Sequence, residues 1–325
     1  MILAATIYDN NESIMLRSNK KLTSFYINRI RKLDFEGVYI YENDQNVDYK
    51  EILSEETRLQ AIKSLKYLNI DDCIFVANHI VEELRESKEI LIEMINLSSY
   101  DNYTYTHSIN VSILSVILGI GCGMTNAELK TLSQAALLHD IGKTQIPDSI
   151  LNKPDKLTAG EYRIMQTHPY LGYKILADNP NISSIVRNAV YSHHENADGS
   201  GYPRHLAKDK IHIMAKIIHI ADVYDALTAK RVYKEAMNPA DALEYLMSHI
   251  DTMFDQELVR IFMRYVALYH VGTTVKLSTG ESATIVKNHR SLLTRPIIRT
   301  QSGYIIDLKE HLDITIVKKE TVKQL

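Results

Sequence analysis

Hydrophobic and polar positions divide the chain into three textures. From residue 1 to about 95, short apolar runs of strand character, Leu3 to Tyr8 and Gly37 to Tyr41, flank a helical stretch at Thr23 to Lys32, and helical periodicity takes over from about Ser54. Glu82 to Met94 mixes charges with an apolar stripe, which fits a signalling or packing helix and equally an ordinary solvated one. From about Asn96 to Tyr269 the pattern is almost wholly helical. Thr125-Asn126-Ala127-Glu128 and Thr158-Ala159-Gly160-Glu161 each set a hydroxyl and a carboxylate three residues apart, the capping-box pattern of a helix start. Asn238-Pro239 places a cap residue before a proline at the first helical position, and Asp255 caps a helix expected to run to Tyr269. After Gly272 strand-like runs follow at Thr274 to Leu277, Ala283 to Lys287, Pro296 to Thr300 and Tyr304 to Leu308, separated by Thr-Gly-Glu and Gln-Ser-Gly turns. The pattern predicts a mainly α protein: a small N-terminal α/β unit with a connecting helix over residues 1–95, a helical bundle over 96–270 and a small β unit over 271–325.

Length and charge narrow the function classes. A chain of 325 residues is long enough for more than one compact unit. A formal net charge of -3 supplies no global pull toward DNA or an anionic membrane, so an anionic substrate must be held by local cations or metals. Two cysteines, Cys73 and Cys122, lie far apart and form neither a disulfide framework nor a zinc knuckle, which fits a reducing compartment. The N-terminus lacks a basic segment followed by a long apolar one, and the longest apolar stretch, near Val111 to Met124, falls short of the roughly 20 residues of a spanning helix. A soluble cytoplasmic protein is expected, with no DNA and no membrane as partner. Neither the acid cluster after the first strand nor the strand-tip aspartate of a phosphoacceptor receiver is convincing in the N-terminal unit.

The candidate chemistry lies in the middle texture. Leu137-Leu138-His139-Asp140-Ile141-Gly142-Lys143 puts an adjacent His-Asp pair where an apolar helix ends and a glycine turn begins, so both side chains can turn toward one cavity. Further along stands His193-His194-Glu195-Asn196-Ala197-Asp198-Gly199-Ser200-Gly201-Tyr202-Pro203, with His168 between the two runs, Asp222 beyond them and His107 on a preceding helix. Imidazoles and carboxylates suit first-row divalent metals, a carboxylate can bridge two of them, and a metal pair supplies what phosphodiester hydrolysis needs. Asp140 is the candidate bridge, and helices can project such ligands inward. A lone histidine at 107, 139 or 168 would ordinarily be a satisfied core or surface residue; their joint occurrence favours a metal site. Asp198, Gly199, Gly201 and Pro203 suit an ordinary surface turn, but the loop directly follows two candidate ligands and carries Tyr202, a group able to contact a base or a partner. Asp225, one helical turn after Asp222, either supports a ligand from behind or is a local acid. Glu195 either orients a ligand histidine or is a solvated acid. His219 is set aside, and the histidines at 79, 205, 212, 249, 270, 289 and 311 read as structural or exposed.

These strings resemble the HD-GYP branch of the HD superfamily of metal-dependent phosphohydrolases, whose members are similar in carrying His-Asp-x-Gly-Lys followed by His-His-Glu-x-x-Asp-Gly-x-Gly-Tyr-Pro. Both strings stand intact, and the resemblance covers roughly Ile92 to Ser248. It implies a helical HD-type bundle that hydrolyses cyclic di-GMP, with two divalent metals, iron or manganese, held by His107, His139, Asp140, His168, His193, His194 and Asp222 and a bridging hydroxide as nucleophile. It also implies that Lys143, Arg231 and Lys234 grip substrate phosphate. One departure stands out. Some members place a Glu four residues before the first histidine ligand, where it helps hold a third metal; here that residue is Tyr103, a poor replacement, which leaves the third ion in doubt and makes pGpG rather than GMP the expected main product. Expected partners are cyclic di-GMP, diguanylate cyclase domains and a second copy of the chain. Two alternatives stay open: a different cyclic dinucleotide as substrate, and a regulatory scaffold that binds nucleotide or cyclase.

Overall fold

In the computed structural model the described residues are 2–3, 6–8, 14–32, 38, 40–41, 52–86, 103–229, 237–266, 268–269, 271–289, 292 and 294–319. At the N-terminus β1 (Ile2–Leu3) pairs antiparallel with β4 (Ile40–Tyr41), and β2 (Ile7–Tyr8) with β3 (Ile14–Leu16). Helix α1 (Ser24–Lys32) contributes Ile30 to a small core with Leu3, Ile7 and Leu16. The strand and helix assigned to this unit are thus present, although 87–94 of the amphipathic run and most of the 33–50 stretch fall outside the described residues.

The bundle is built around one central helix, α4 (Tyr103–Gly121). Its interior is rich in Ile and Val, which carry only modest helix propensity. It is buried on every side: Ile109, Val111, Ile113, Leu114, Val116, Ile117 and Leu118 are fully buried, and so many apolar side chains are satisfied only inside a bundle. Around it pack α2 (Glu55–Lys66), α3 (Ile70–Glu86), α5 (Asn126–Leu137), α10 (Ile213–Thr228) and α12 (Gln256–Phe262). Ser133 Oγ on α5 donates to the Ala77 carbonyl on α3 (2.7 Å) and meets Ser112 Oγ on α4 (2.9 Å), so the buried hydroxyls at this junction are paired. The 95/96 boundary read from the sequence falls outside the described residues. Val76, Ala77, Ile80, Val81 and Leu84 of α3 share a single core with α2, α4, α5 and α10.

Helix ends follow their signals. Both capping boxes form, with Thr125 N donating to Glu128 (2.8 Å) and Thr158 N to Glu161 (2.7 Å), at the starts of α5 and α7 (Ala159–Met165). Asn238 caps α11 (Pro239–Ser248) with Pro239 in its first turn, and Asp255 accepts from Glu257 and Leu258 at the start of α12. That last helix closes at Phe262 rather than Tyr269 and turns through 263–266, burying Val266 in the main core. Three short helices complete the bundle: α6 (Asp148–Leu151), α8 (His168–Ala177) and α9 (Ser184–Ser192). Among the described residues no helix is long and apolar enough to cross a membrane.

The C-terminal unit is a five-stranded antiparallel sheet in the order β8-β7-β6-β5-β9, formed by β5 (Thr274–Leu277), β6 (Ser282–Lys287), β7 (Ile297–Thr300), β8 (Ile305–Asp307) and β9 (Ile316–Lys319). Alternate residues such as Val275, Leu277, Ala283, Ile285 and Ile298 turn inward to a core of their own. The fifth strand, β9, was missed in the sequence pattern; it pairs with β5 across a register shift at Lys276/Leu277.

A buried histidine–aspartate cluster

The His-Asp pair lies where α5 gives way to a 3-10 turn at Ile141–Gln145. Ile141 N donates to the Leu138 carbonyl and Lys143 N to the Asp140 carbonyl, and this tighter winding lets two sequence neighbours face one cavity. Gly142 is required there for space. A Cβ on it would run into the backbone carbonyl oxygen of His168 and lie 2.9 Å from the carbonyl carbon, so the turn that carries Asp140 can approach the start of α8 only without a side chain.

Three imidazoles repeat one local device. His139, His168 and His193 each direct Nδ1 at the carbonyl three residues earlier, on Ala136 (2.8 Å), Met165 (2.8 Å) and Val190 (2.6 Å). A carbonyl only accepts, so Nδ1 carries a proton and Nε2 is the atom turned toward the cavity. Asp140 sits between two groups of donors. Its Oδ1 is 3.3 Å from His168 Nε2 and 4.0 Å from His193 Nε2; its Oδ2 is 3.3 Å from His139 Nε2 and 3.8 Å from His107 Nε2. Lys143 Nζ donates to the same Oδ2 (2.5 Å). His107 on α4 points Nε2 at Asp222 of α10 (3.1 Å) and Nδ1 at Asp225 (2.7 Å), and Asp225 also accepts from Asn110 (2.9 Å). Asp225 therefore supports His107 from behind, the first of the two readings made for it. Asn110, one turn beyond His107 on α4, is a member of this chain of contacts that was not singled out in the sequence; its spacing was the available signal.

Electrostatics suits the donors to cations. Burial opposes ionisation of Asp140 and Asp222, yet His139 and Lys143 around the first, and the hydrogen bond from His107 to the second, hold both carboxyls well below the usual range. Burial, with neighbouring imidazoles adding to it, pushes His193 and His194 well below their ordinary value, so both are neutral at pH 7. His107 goes the other way: burial works against its charge, but Asp222 and Asp225 outweigh burial and raise it to about 9. His139 Nε2 and Asp140 Oδ1 are buried with no hydrogen-bond partner. The atoms of His107, His139 and Asp140 lie within 4.8 Å of one another, as do those of His168, His193 and His194. Neutral His193 and His194, and the unpartnered His139 Nε2, gathered around a held anionic carboxylate, fit divalent metal binding.

A pH dependence follows for the metal-free chain. His107 is raised above its reference of 6.5, so its contribution to stability is full below pH 6.5 and is lost as pH rises toward 9. His193 and His194 are lowered, so theirs is present above pH 6.5 and lost as pH falls below it. Thermal unfolding in chelator is expected to peak near neutrality, and His107→Gln is expected to remove the alkaline limb. A midpoint that rises steadily from pH 7 to 9 would count against the assignment.

The loop from Asp198 to Pro203 folds back over the ends of the candidate ligands. Tyr202 N donates to the His194 carbonyl (3.0 Å), and a Cβ on Gly201 would strike the backbone at 194 and 196 and lie 2.6 Å from Glu195 Cα. Tyr202 lays its ring on His194 at 4.7 Å between centroids, and burial keeps its phenol neutral. Asp198 accepts from Ser200 N (2.8 Å) in an exposed turn, and Gly199 takes a positive φ of 84°. Neither is among the grouped donors, whereas Pro203 lines a groove beside them. Both readings of Glu195 are corrected. It is buried, and its two oxygens accept from Arg204 N (2.7 Å) and Leu206 N (2.9 Å), holding the loop rather than an imidazole. Arg204, with no sequence signal, donates to Ser192 and stacks on Tyr191 at 4.7 Å. His219 is buried, lowered by that burial, and packs on Phe254 at 5.2 Å. Arg231 and Lys234 lie outside the described residues, as does the side chain of Tyr103.

A helical bundle whose interior carries paired groups of buried imidazole and carboxylate donors is the class this arrangement defines. Residues 89–258 match the HD domain family. With the two motif strings intact at His139–Lys143 and His193–Pro203, the chain belongs to the HD-domain family, in its HD-GYP branch. The chain is 37% identical over 67% of its length to a Pseudomonas aeruginosa protein named cyclic di-GMP phosphodiesterase PA4108, covering 54% of that protein. It is 35% identical over 61% of its length to the Xanthomonas campestris cyclic di-GMP phosphodiesterase response regulator RpfG, covering 52% of it. A Vibrio cholerae 3'3'-cGAMP-specific phosphodiesterase 2 is 37% identical over 58% of this chain and 36% of that one. The chain thus spans about half the length of the first two relatives. Among solved structures, the HDG"Y"P protein Bd1817 of Bdellovibrio bacteriovorus shares the fold, with a TM-score of 0.57 and 19% identity over 81% of this chain and 94% of that one.

Proposed function

We propose that this protein is a metal-dependent phosphodiesterase that opens cyclic di-GMP, acting in the cytoplasm and releasing mainly pGpG. The observation that carries the reading is Asp140, with one oxygen facing His168 and His193 and the other facing His107 and His139. His107, His139, Asp140, His168, His193, His194 and Asp222 would hold two metals, iron or manganese by the family's habit. Such a pair supplies an activated water and neutralises the charge that grows on phosphorus. The chain's own residues do the rest. The three carbonyl-anchored imidazoles keep one tautomer, Lys143 brings a cation to the Asp140 side of the cavity, and Tyr202 walls the His194 side with a neutral ring. Relatives named for cyclic di-GMP support the substrate. Relatives named for 3'3'-cGAMP support a mixed cyclic dinucleotide as the second reading. A scaffold for diguanylate cyclases or a second copy of the chain is less favoured, since every residue of the candidate ligand set is retained.

The test is incubation of the anaerobically purified, metal-analysed protein with cyclic di-GMP, 3'3'-cGAMP and cyclic di-AMP, with chromatography of products. Because a phenol with a reference pKa near 10 cannot replace a carboxylate at Tyr103, pGpG is expected to accumulate and GMP to appear slowly, and Tyr103→Glu to speed the second cut. Conversion to GMP without a pGpG stage would overturn the product assignment alone. If Arg231 and Lys234 hold phosphate, neutralising either is expected to cost on the order of 1.5 to 3 kcal/mol in binding or turnover without loss of metal. Unchanged kinetics would make them surface residues.

A further inference from the structure

Beside the donor cluster runs a groove of about 430 Å³, lined among others by Arg163, Gln166, Tyr170, Tyr191, Tyr202 and His205. It is continuous with the site through Tyr202, whose ring lies 4.7 Å from His194 and 6.5 Å from His168. We infer that this groove takes one purine base of the dinucleotide, and that Arg163 makes guanine the preferred one. The inference rests on the phosphodiesterase reading and adds to it the flank on which the substrate lies and the residue that reads it.

Size, charge and ring chemistry agree on that occupant. When one phosphodiester lies over the donor cluster, a base must extend along the wall, and the groove starts at the ring shared by both. Its volume suits a nucleoside-sized group. Tyr170 and Tyr191 stand 5.8 Å apart, Arg204 stacks on Tyr191 and Lys174 Nζ lies over the Tyr170 ring at 5.6 Å, while Tyr170, 45% exposed, still offers ring surface to the groove it lines. Stacking on such a ring is tolerant of base identity, so it sets affinity. Identity needs an edge. No carboxylate lines the groove, and Arg163, exposed on the last turn of α7, pairs with no carboxylate among the described residues. A guanidinium only donates, and its fork matches the two acceptors O6 and N7 of guanine. Adenine offers one acceptor and one donor on the same edge, and the donor repels the fork. Gln166, half-buried beside Arg163, can donate or accept and so does not by itself discriminate. His205, read from the sequence as structural or exposed, belongs to this wall.

The experiment compares wild type, Tyr170→Ala, Arg163→Ala and Arg163→Lys as full-length, manganese-loaded protein, on cyclic di-GMP, cyclic di-AMP and the base-free diester bis(p-nitrophenyl) phosphate. Calorimetric binding of both dinucleotides is measured in chelator, where no turnover intervenes, for the wild type and each variant. Tyr170→Ala is expected to raise KM for cyclic di-GMP on the order of tenfold, with kcat changed less. Arg163→Ala is expected to lower the preference for cyclic di-GMP over cyclic di-AMP by about tenfold, and Arg163→Lys by less, since an ammonium still donates to guanine O6 and N7 but loses the planar fork. Each substituted side chain is exposed, and circular dichroism checks the fold. Wild-type KM, binding and preference in all three variants would overturn the groove while leaving the phosphodiesterase reading standing. A wild type that cleaves the base-free diester but neither binds nor cleaves a cyclic dinucleotide would overturn both.

Discussion

Asp140→Ala is expected to lose the metals and, with them, turnover, while the helical bundle stays folded. Residues that merely support a ligand from behind are worth about 10- to 100-fold in metal affinity or activity. Asp140 faces both donor groups, so its removal is expected to exceed the upper end of that range. Its loss also leaves imidazoles and the Lys143 ammonium without their shared anion, which disfavours a second cation in the same cavity. The apolar core around α4 does not include Asp140, so the helical circular-dichroism signal is expected to survive. Elemental analysis and rates on cyclic di-GMP decide the matter. Two ions per chain and full activity in Asp140→Ala would end the assignment of Asp140 as the carboxylate shared by the two donor groups, and Asp140→Asn, which keeps the shape, separates charge from packing.

Gly142→Ala is expected to do comparable damage from outside the donor set. The added methyl meets backbone atoms of His168, and Gly172 N at 2.5 Å, none of which can rotate away. The turn carrying Asp140 and the start of α8 carrying His168 must then separate, and overpacking of this kind costs about 1–3 kcal/mol. Because the strain falls between two candidate ligands 3.3 Å apart, metal content should drop together with stability. Urea unfolding and elemental analysis of the variant test both. Wild-type values in each would show that the glycine serves no close approach.

Helix starts were legible along the chain because their signals are local: a hydroxyl and a carboxylate three residues apart at Thr125 and Thr158, and a cap before Pro239, need nothing beyond their own turn. Strands β5 to β8 were legible for the same reason, since alternation is set by the pleat. The fifth strand was not, because Ile316 to Lys319 gains its place only by pairing with β5 some 40 residues earlier in the chain. The end of α12 and the packing of α3 into the bundle were also invisible, as both depend on which apolar face is available to cover them.

The site divides along the same line. Residue types and spacings by themselves determined which side chains are metal donors in kind, that His139 and Asp140 sit at a helix end, and that a glycine turn follows, because those properties belong to the residues and to the nearest few peptide units. Only the tertiary structure decided that Asp140 turns one oxygen to each donor group, that Asp225 and Asn110 stand behind His107, that Glu195 holds the Tyr202 loop by two backbone N–H groups, and that Arg163 shares a groove with Tyr170. Each of these joins elements far apart in sequence, and such a contact is specified by how helices pack against α4 rather than by any property of the residues read one at a time.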